Sequence, residues 1–287
     1  DDLYCMRKPQ KNFDLFCHVG LGKTASTYLQ YKFFPRLKGI RYIQRTRYRW
    51  FDKIISRTDY NKYLVSREFD RQFEREVKKI ADKYPGAHII IVLRRNDSWV
   101  ASQYRRYVKN GGLEPFENFV DLEHDEGLWK QKDIYFYPKL RMVKDLFKPS
   151  PLVLFHDDLK KDAFGFFNKL AGYMGVEYDR NRIDVNPSHK SYNEKQLKIL
   201  RRFNRSVFGK DFKGSENKLQ HYLRFRTRWL FNHLILYIAN LLPEHLGGTE
   251  PLISAGHMEK IREHYANDWK RCQEFAKAYS FDWVAEY

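Results

Sequence analysis

Cysteine is scarce in this sequence. Three residues, Cys5, Cys17 and Cys272, occur in a chain of 287, an odd number with no C-x-x-C spacing, so no disulfide framework is expected. The ten histidines show no metal-ligand spacing either, and no metal is expected. Acid is in deficit, with 36 Asp and Glu against 53 Lys and Arg, a formal charge of +17 that suits polyanionic partners of any kind. Long hydrophobic runs are missing. The most apolar stretch, Leu230–Leu242, is too short to span a bilayer and contains Asn232 and His233. Arg224, Arg226 and Arg228 precede it, so it reads as a helix packed in the core or as one lying on an anionic membrane surface. Neither an internal repeat nor a low-complexity linker interrupts the chain.

Aromatic residues, in contrast, are plentiful at 17%. With the basic charge they raise the possibility of nucleic-acid stacking. Tyrosine and phenylalanine within strands and helices are core residues first, however, and no nucleic-acid module is visible, so no nucleic-acid partner is expected. The chain is long enough to bury a full core. Apolar segments at 13–17, 63–68, 87–93 and 151–155 alternate with helical patterns through residue 175, which implies a parallel α/β sheet. The helical patterns include Thr27–Phe34, ended by Pro35, and Ala163–Met174, closed by Gly175. Residues 193–280 are almost entirely helical in pattern, including a final helix over Ser254–Tyr279. They are expected to pack around the sheet, giving one domain over 1–287 with an α/β core at about 12–175 and a helical part at about 190–280. Lys213–Asn217 reads as a loop.

The most informative segment is His18-Val19-Gly20-Leu21-Gly22-Lys23-Thr24-Ala25-Ser26-Thr27-Tyr28-Leu29-Gln30. A strand, a glycine-bearing turn with one lysine and three hydroxyls, then a helix make a phosphate cradle. The glycines let the backbone approach an anion, and the N–H groups at the helix start point at it. Gly22-Lys23-Thr24 copies the end of the Walker A pattern, but its first glycine falls at Cys17. A magnesium-binding acid is also expected to close a later strand in a nucleoside triphosphatase or kinase. The strand at 87–93 ends in Arg94-Arg95 instead, which suits a phosphate and repels a metal ion. A nucleotide kinase or NTPase is therefore the alternative reading, beside a basic polyanion- or membrane-binding protein that keeps a relic cradle.

The cradle resembles that of sulfotransferases that use 3′-phosphoadenosine 5′-phosphosulfate (PAPS), most closely bacterial ones whose loop reads H-x-G-L-P-K-T-G-T-T-x-L-Q. Gly22 stands in place of the proline, Ala25 of the glycine and Ser26 of the threonine. A second motif agrees: the family carries an arginine at a strand end and a serine eight residues on, both holding the nucleotide's 3′-phosphate. Arg94 and Ser102 have that spacing, with Asp97 or Ser98 as helix cap. Weaker echoes are the strand and acids of Pro151–Leu159, in which Asp157 and Asp158 read as caps of the following helix, and Val185-Asn186-Pro187-Ser188. The resemblance implies a P-loop-like three-layer α/β sandwich with a central parallel sheet and a helical C-terminal third. It also implies a donor site of Gly20, Gly22, Lys23, Thr24, Ala25, Ser26, Thr27, Arg94 and Ser102.

Sulfuryl transfer requires a stabilised leaving oxygen and a base for the attacking hydroxyl. Lys23 suits the first task. Glu68, closing the apolar Tyr63–Phe69 segment, suits the second, and the resemblance places it beside the cradle. The competing explanation is that Glu68 merely occupies the first turn of a helix starting at Ser66. His18, His124 and His156 are alternative bases. The charge and the bacterial-type loop favour a carbohydrate or glycolipid hydroxyl as acceptor. Arg41 and the Arg45–Arg49 run are open to lining an acceptor groove or a solvated face. The expected location is cytoplasmic with optional membrane association. Because the chain begins Asp1-Asp2, a lumenal site after removal of an N-terminal anchor stays open.

Overall fold

A strand that is apolar on both faces has to be covered on both faces, and the middle strands of this protein are of that kind. The computed structural model describes residues 12–185, 192–209 and 218–279. The strands are β1 (Asp14–Gly20), β2 (Leu37–Lys38), β3 (Arg41–Ile43), β4 (Lys62–Ser66), β5 (His88–Leu93), β6 (Leu152–Phe155) and β7 (Glu177–Tyr178). Five of them form a parallel sheet in the order β3-β4-β1-β5-β6, while β2 and β7 make a small antiparallel pair. The central strand β1 runs three residues beyond the end of the apolar segment at 13–17. It is therefore the longest strand of the sheet, and it delivers its end straight into the glycine turn.

The helices are α1 (Ser26–Tyr28), α2 (Phe51–Arg57), α3 (Phe73–Lys83), α4 (Asn96–Lys109), α5 (Phe116–Phe119), α6 (Gln131–Ile134), α7 (Tyr137–Leu146), α8 (His156–Lys161) and α9 (Ala163–Met174). They continue with α10 (Glu194–Phe208), α11 (Lys218–Leu241), α12 (Ala255–His264) and α13 (Ala266–Tyr279). By compactness the chain divides into one unit of Asp1–Arg94, Phe136–Val185 and Lys270–Tyr287 and another of Arg95–Tyr135 and Asn186–Trp269.

In the first unit, one face of the sheet presents Phe16, Leu64, Ile90, Val92, Leu152 and Leu154. These pack with Leu29, Phe33 and Phe34 and with Phe166, Phe167, Leu170 and Met174 of α9. The sequence matches α9 residue for residue. Its start is capped by Asp162, which accepts from the Gly165 N–H at 2.9 Å. Its end turns at Gly175 (φ 57), with the Val176 N–H returning to Ala171 O in a Schellman arrangement. Asp157 and Asp158 therefore do not cap it; they lie in the first turn of the separate helix α8. The segment after the cradle also differs from expectation. α1 widens into a π turn over Leu29–Phe33 and then tightens to a 3-10 turn over Phe34–Arg36. Pro35 sits at the start of that tighter turn, where its missing N–H costs nothing, rather than ending a helix.

The second unit is helical. α4 packs with α10 and α12, and α10 packs with α11. α10 begins with a reciprocal capping box between Asn193 and Gln196. Neither Asp97 nor Ser98 caps α4, which starts at Asn96. Asp97 is instead buried, paired with Arg95 at 2.7 Å and Arg262 at 3.1 Å. Burial raises its pKa, but hydrogen bonds from Arg95, the Ser98 N–H and Arg262 reverse that and hold the carboxyl below its usual range. The expected helix over 254–279 is two helices, parted at Tyr265. The 186–188 element and the 213–217 loop lie outside the described residues.

Candidate anion site

The carboxyl edge of a parallel sheet is where α/β proteins bind ligands, because loops and helix starts converge there. In the first unit that edge collects the turn after β1, the Ser66–Asp70 segment after β4, Arg94 after β5 and His156 after β6. Gly20 leaves β1 at φ 130, and a Cβ there would come within 3.2 Å of the Phe69 backbone nitrogen. The turn is anchored on both sides: the Leu21 N–H donates to Val92 O, and the Phe69 N–H donates to Val19 O.

Residues 23–27 alternate between outward and inward faces. Lys23 and Thr27 are exposed and Ala25 is half-exposed, while Thr24 and Ser26 are buried. Both buried hydroxyls donate to Leu21 O, at 2.6 and 2.9 Å. They therefore hold the turn's shape, while Lys23 and Thr27 stand on its exposed side. Lys23 and Ala25 both adopt left-handed backbone, at φ 67 and 66. The family pattern's glycine falls on the second of these, so Ala25 carries the conformation at a cost that glycine avoids. Gly22 has a different reason for being glycine. It is not in the left-handed region; a Cβ would lie 2.8 and 2.9 Å from the carboxylate oxygens of Asp70, and the Gly22 N–H donates to Asp70 Oδ1 at 2.9 Å. Asp70 escaped sequence reasoning, although the Ser66-x-Glu68-x-Asp70 spacing was its one visible signal.

Glu68 does not occupy a helix start. β4 ends at Ser66 and α3 begins at Phe73, so Glu68 stands in the connecting loop. Its Cα lies 3.7 Å from the position of a Cβ on Gly20, and its carboxylate lies 3.5 Å from Arg45. The Arg45–Trp50 3-10 turn is exposed along Arg45, Arg47 and Arg49.

Beneath the turn, Ser66 Oγ joins two residues of the first motif. His18 Nδ1 lies 2.8 Å from it, and Gln30 Nε2 donates to it at 3.0 Å. All three are buried, and burial pushes His18 down to about 4, so the ring is neutral near neutral pH. His18 is only 1% exposed, and its ring nitrogen Nδ1 is engaged by Ser66. His156 is also pushed down to about 4, by burial first and then by the charges of Arg94 and Lys160. Arg94 and His156 each follow a member of the paired residues Leu93 and Phe155, so they leave neighbouring strands at the same level of the sheet edge. His124 is exposed in a loop of the second unit, 3.7 Å from Asp121. Burial raises the Cys17 thiol to about 12, which leaves it unreactive. Ser102 is half-buried on α4, in the second unit.

The second unit also contains a cavity of about 650 Å³ whose lining includes Glu114, Glu117, Asp121, Glu123 and Glu126 beside His257 and Lys260. Its negative lining repels a nucleotide. Among the described residues no three His, Cys, Asp or Glu side chains are grouped to hold a metal ion.

No protein-family model matches the chain, and no curated protein sequence matches it. Its fold does match that of a sulfotransferase from Alicyclobacillus acidocaldarius, with a TM-score of 0.51 over 69% of this chain and 97% of that one, at 13% identity. At that identity the likeness shows a shared fold, the central five-stranded parallel sheet with flanking helices of the P-loop-like α/β class.

Proposed function

We propose that this protein is a PAPS-dependent sulfotransferase that moves a sulfuryl group to a hydroxyl of a carbohydrate or glycolipid. The observation that carries the reading is the pairing of the Gly20–Thr27 turn with a cation, Arg94, at the end of the neighbouring strand, where a triphosphatase carries an acid. The turn fits an anionic donor: its buried hydroxyls are turned inward onto Leu21 O, while Lys23 and Thr27 stand on its exposed side. The fold match is to a protein described as a sulfotransferase.

PAPS supplies an activated sulfuryl group whose bond to the bridging 5′-phosphate oxygen breaks as the acceptor oxygen bonds to sulfur. Lys23 holds positive charge, and a proton, at the departing oxygen, and adenosine 3′,5′-bisphosphate leaves. Glu68 takes the proton of the attacking hydroxyl, from a loop packed against Gly20. Arg94 pairs with the 3′-phosphate. The exposed arginines of the Arg45–Trp50 turn suit an acidic acceptor.

Titration calorimetry tests the reading. Adenosine 3′,5′-bisphosphate should bind without magnesium and much more tightly than AMP. Arg94→Ala should cost roughly 10- to 100-fold in bisphosphate affinity, the worth of one charge-assisted contact. Tighter binding of magnesium-ATP would favour the kinase reading and overturn this one, and no bisphosphate affinity would leave only a relic cradle.

A further inference from the structure

Helix α11 is packed with its polar side inward. Arg228 is buried and donates to Gly111 O and Asn204 Oδ1, Asn232 Nδ2 donates to Lys109 O, and Asn232 Oδ1 accepts from Asn204. Leu236 and Ala239 complete this buried face. The opposite face, at helical spacing, presents Leu223, Leu230, Leu234, Tyr237 and Leu241 to solvent, with Leu230 62%, Tyr237 70% and Leu241 72% exposed. Trp229, Phe231 and Ile238 flank them, also exposed. A soluble helix ordinarily shows the reverse arrangement, and an apolar patch of this breadth needs a cover.

The charge around the patch says what covers it. α11 has no acid among its residues, and its Lys and Arg all fall between Lys218 and Arg228. Arg226 stays exposed while resting over the rings of Tyr222 and Trp229, at 5.7 and 5.8 Å. A second copy of the same surface would meet like charge with like. An anionic lipid surface offers both what the leucines need and what Arg226 needs. Among the described residues no helix is long and apolar enough to cross a membrane, so the helix lies along the surface.

We infer that α11 docks this protein onto membranes rich in anionic phospholipid, with Leu230, Leu234, Tyr237 and Leu241 entering the acyl boundary and Arg226 meeting the headgroups. The inference stands on the second unit alone and does not rest on the sulfuryl-transfer reading. Cosedimentation of the full chain with vesicles tests it, using phosphatidylcholine alone or with about one-third phosphatidylglycerol, at physiological salt. The chain should bind the anionic vesicles and bind the neutral ones weakly. The Leu230→Glu/Leu234→Glu pair should lower partitioning at least about a hundredfold, because two leucines lose their transfer into the lipid. Both side chains are exposed, so circular dichroism should be unchanged, and a variant that misfolds is replaced by Tyr237→Glu. Equal binding by the variant would mean bulk adsorption of a basic protein and overturn the inference. So would failure of the parent chain to bind, or a solution dimer that the pair of substitutions dissociates.

Discussion

Replacing Ala25 by glycine should stabilise this protein, although the same change at an ordinary helix start weakens a chain. Ala25 sits at φ 66, ψ 14. Left-handed backbone costs a residue with a Cβ roughly 1–2 kcal/mol, and glycine removes that cost. Glycine also loosens the unfolded chain, which returns about 0.4–1 kcal/mol. The net gain is therefore about 0.5–1 kcal/mol. In a chain of this size that raises Tm by roughly 1–4 °C, since about 1 kcal/mol moves a large domain by 2–4 °C. Gly22→Ala, three residues earlier, should act in the opposite direction. The new Cβ would meet both Asp70 oxygens at under 3 Å, so the carboxylate must swing away and release the Gly22 N–H. A lost hydrogen bond to a charged group costs roughly 1.5–3 kcal/mol. Thermal melts by circular dichroism, with urea midpoints as a second measure, read both variants. A lower Tm for Ala25→Gly, or an unchanged one for Gly22→Ala, would refute this account of the turn.

Other outcomes follow from the same geometry. Lys23 is exposed, so Lys23→Ala should leave the melting temperature near that of the parent while abolishing sulfuryl transfer, and Lys23→Arg should also lose most turnover because a planar guanidinium cannot take the ammonium's place. Glu68→Gln should cost roughly 10²- to 10⁴-fold in single-turnover rate with donor affinity nearly intact. Its pair with half-exposed Arg45 contributes only about 0–1 kcal/mol, so an unchanged rate with slightly lower stability would reassign the base. His18 is pushed from 6.5 to about 4, so between those values the unfolded chain binds a proton that the folded one refuses. Its stability contribution is complete above about pH 6.5 and is lost as pH falls toward 4; urea midpoints across that window should slope less in His18→Gln, and an identical slope would contradict the burial of the ring.

The sheet, the glycine turn and the bounds of α9 were legible because each is written in consecutive residues: apolar runs, the Gly20–Thr27 spacing, and Gly175 after a helical period. What escaped lies across the sheet. Asp70 reaches Gly22, and Ser66 reaches His18, from 48 positions away along the chain, and β4 must lie beside β1 before either contact exists. The helical reading after Thr27 missed its π and 3-10 turns, where packing of Phe33 on Phe167 at 4.4 Å overrides local preference. Periodicity also could not orient α11. An apolar face ordinarily turns inward, and only the partners of Arg228 and Asn232 show that here the polar face does so. Glu68 looked like a helix-start acid because the loop between Ser66 and Phe73 carries no proline or glycine to announce it.

The most direct measurement is a crystal structure of the full chain with adenosine 3′,5′-bisphosphate. The 5′-phosphate should lie against the N–H groups of residues 23–27 with Lys23 Nζ on its outer oxygen, and the 3′-phosphate against Arg94. Bisphosphate bound away from the Gly20–Thr27 turn, or bound with neither phosphate touching Arg94, would contradict the assignment of this turn as the site of sulfuryl transfer.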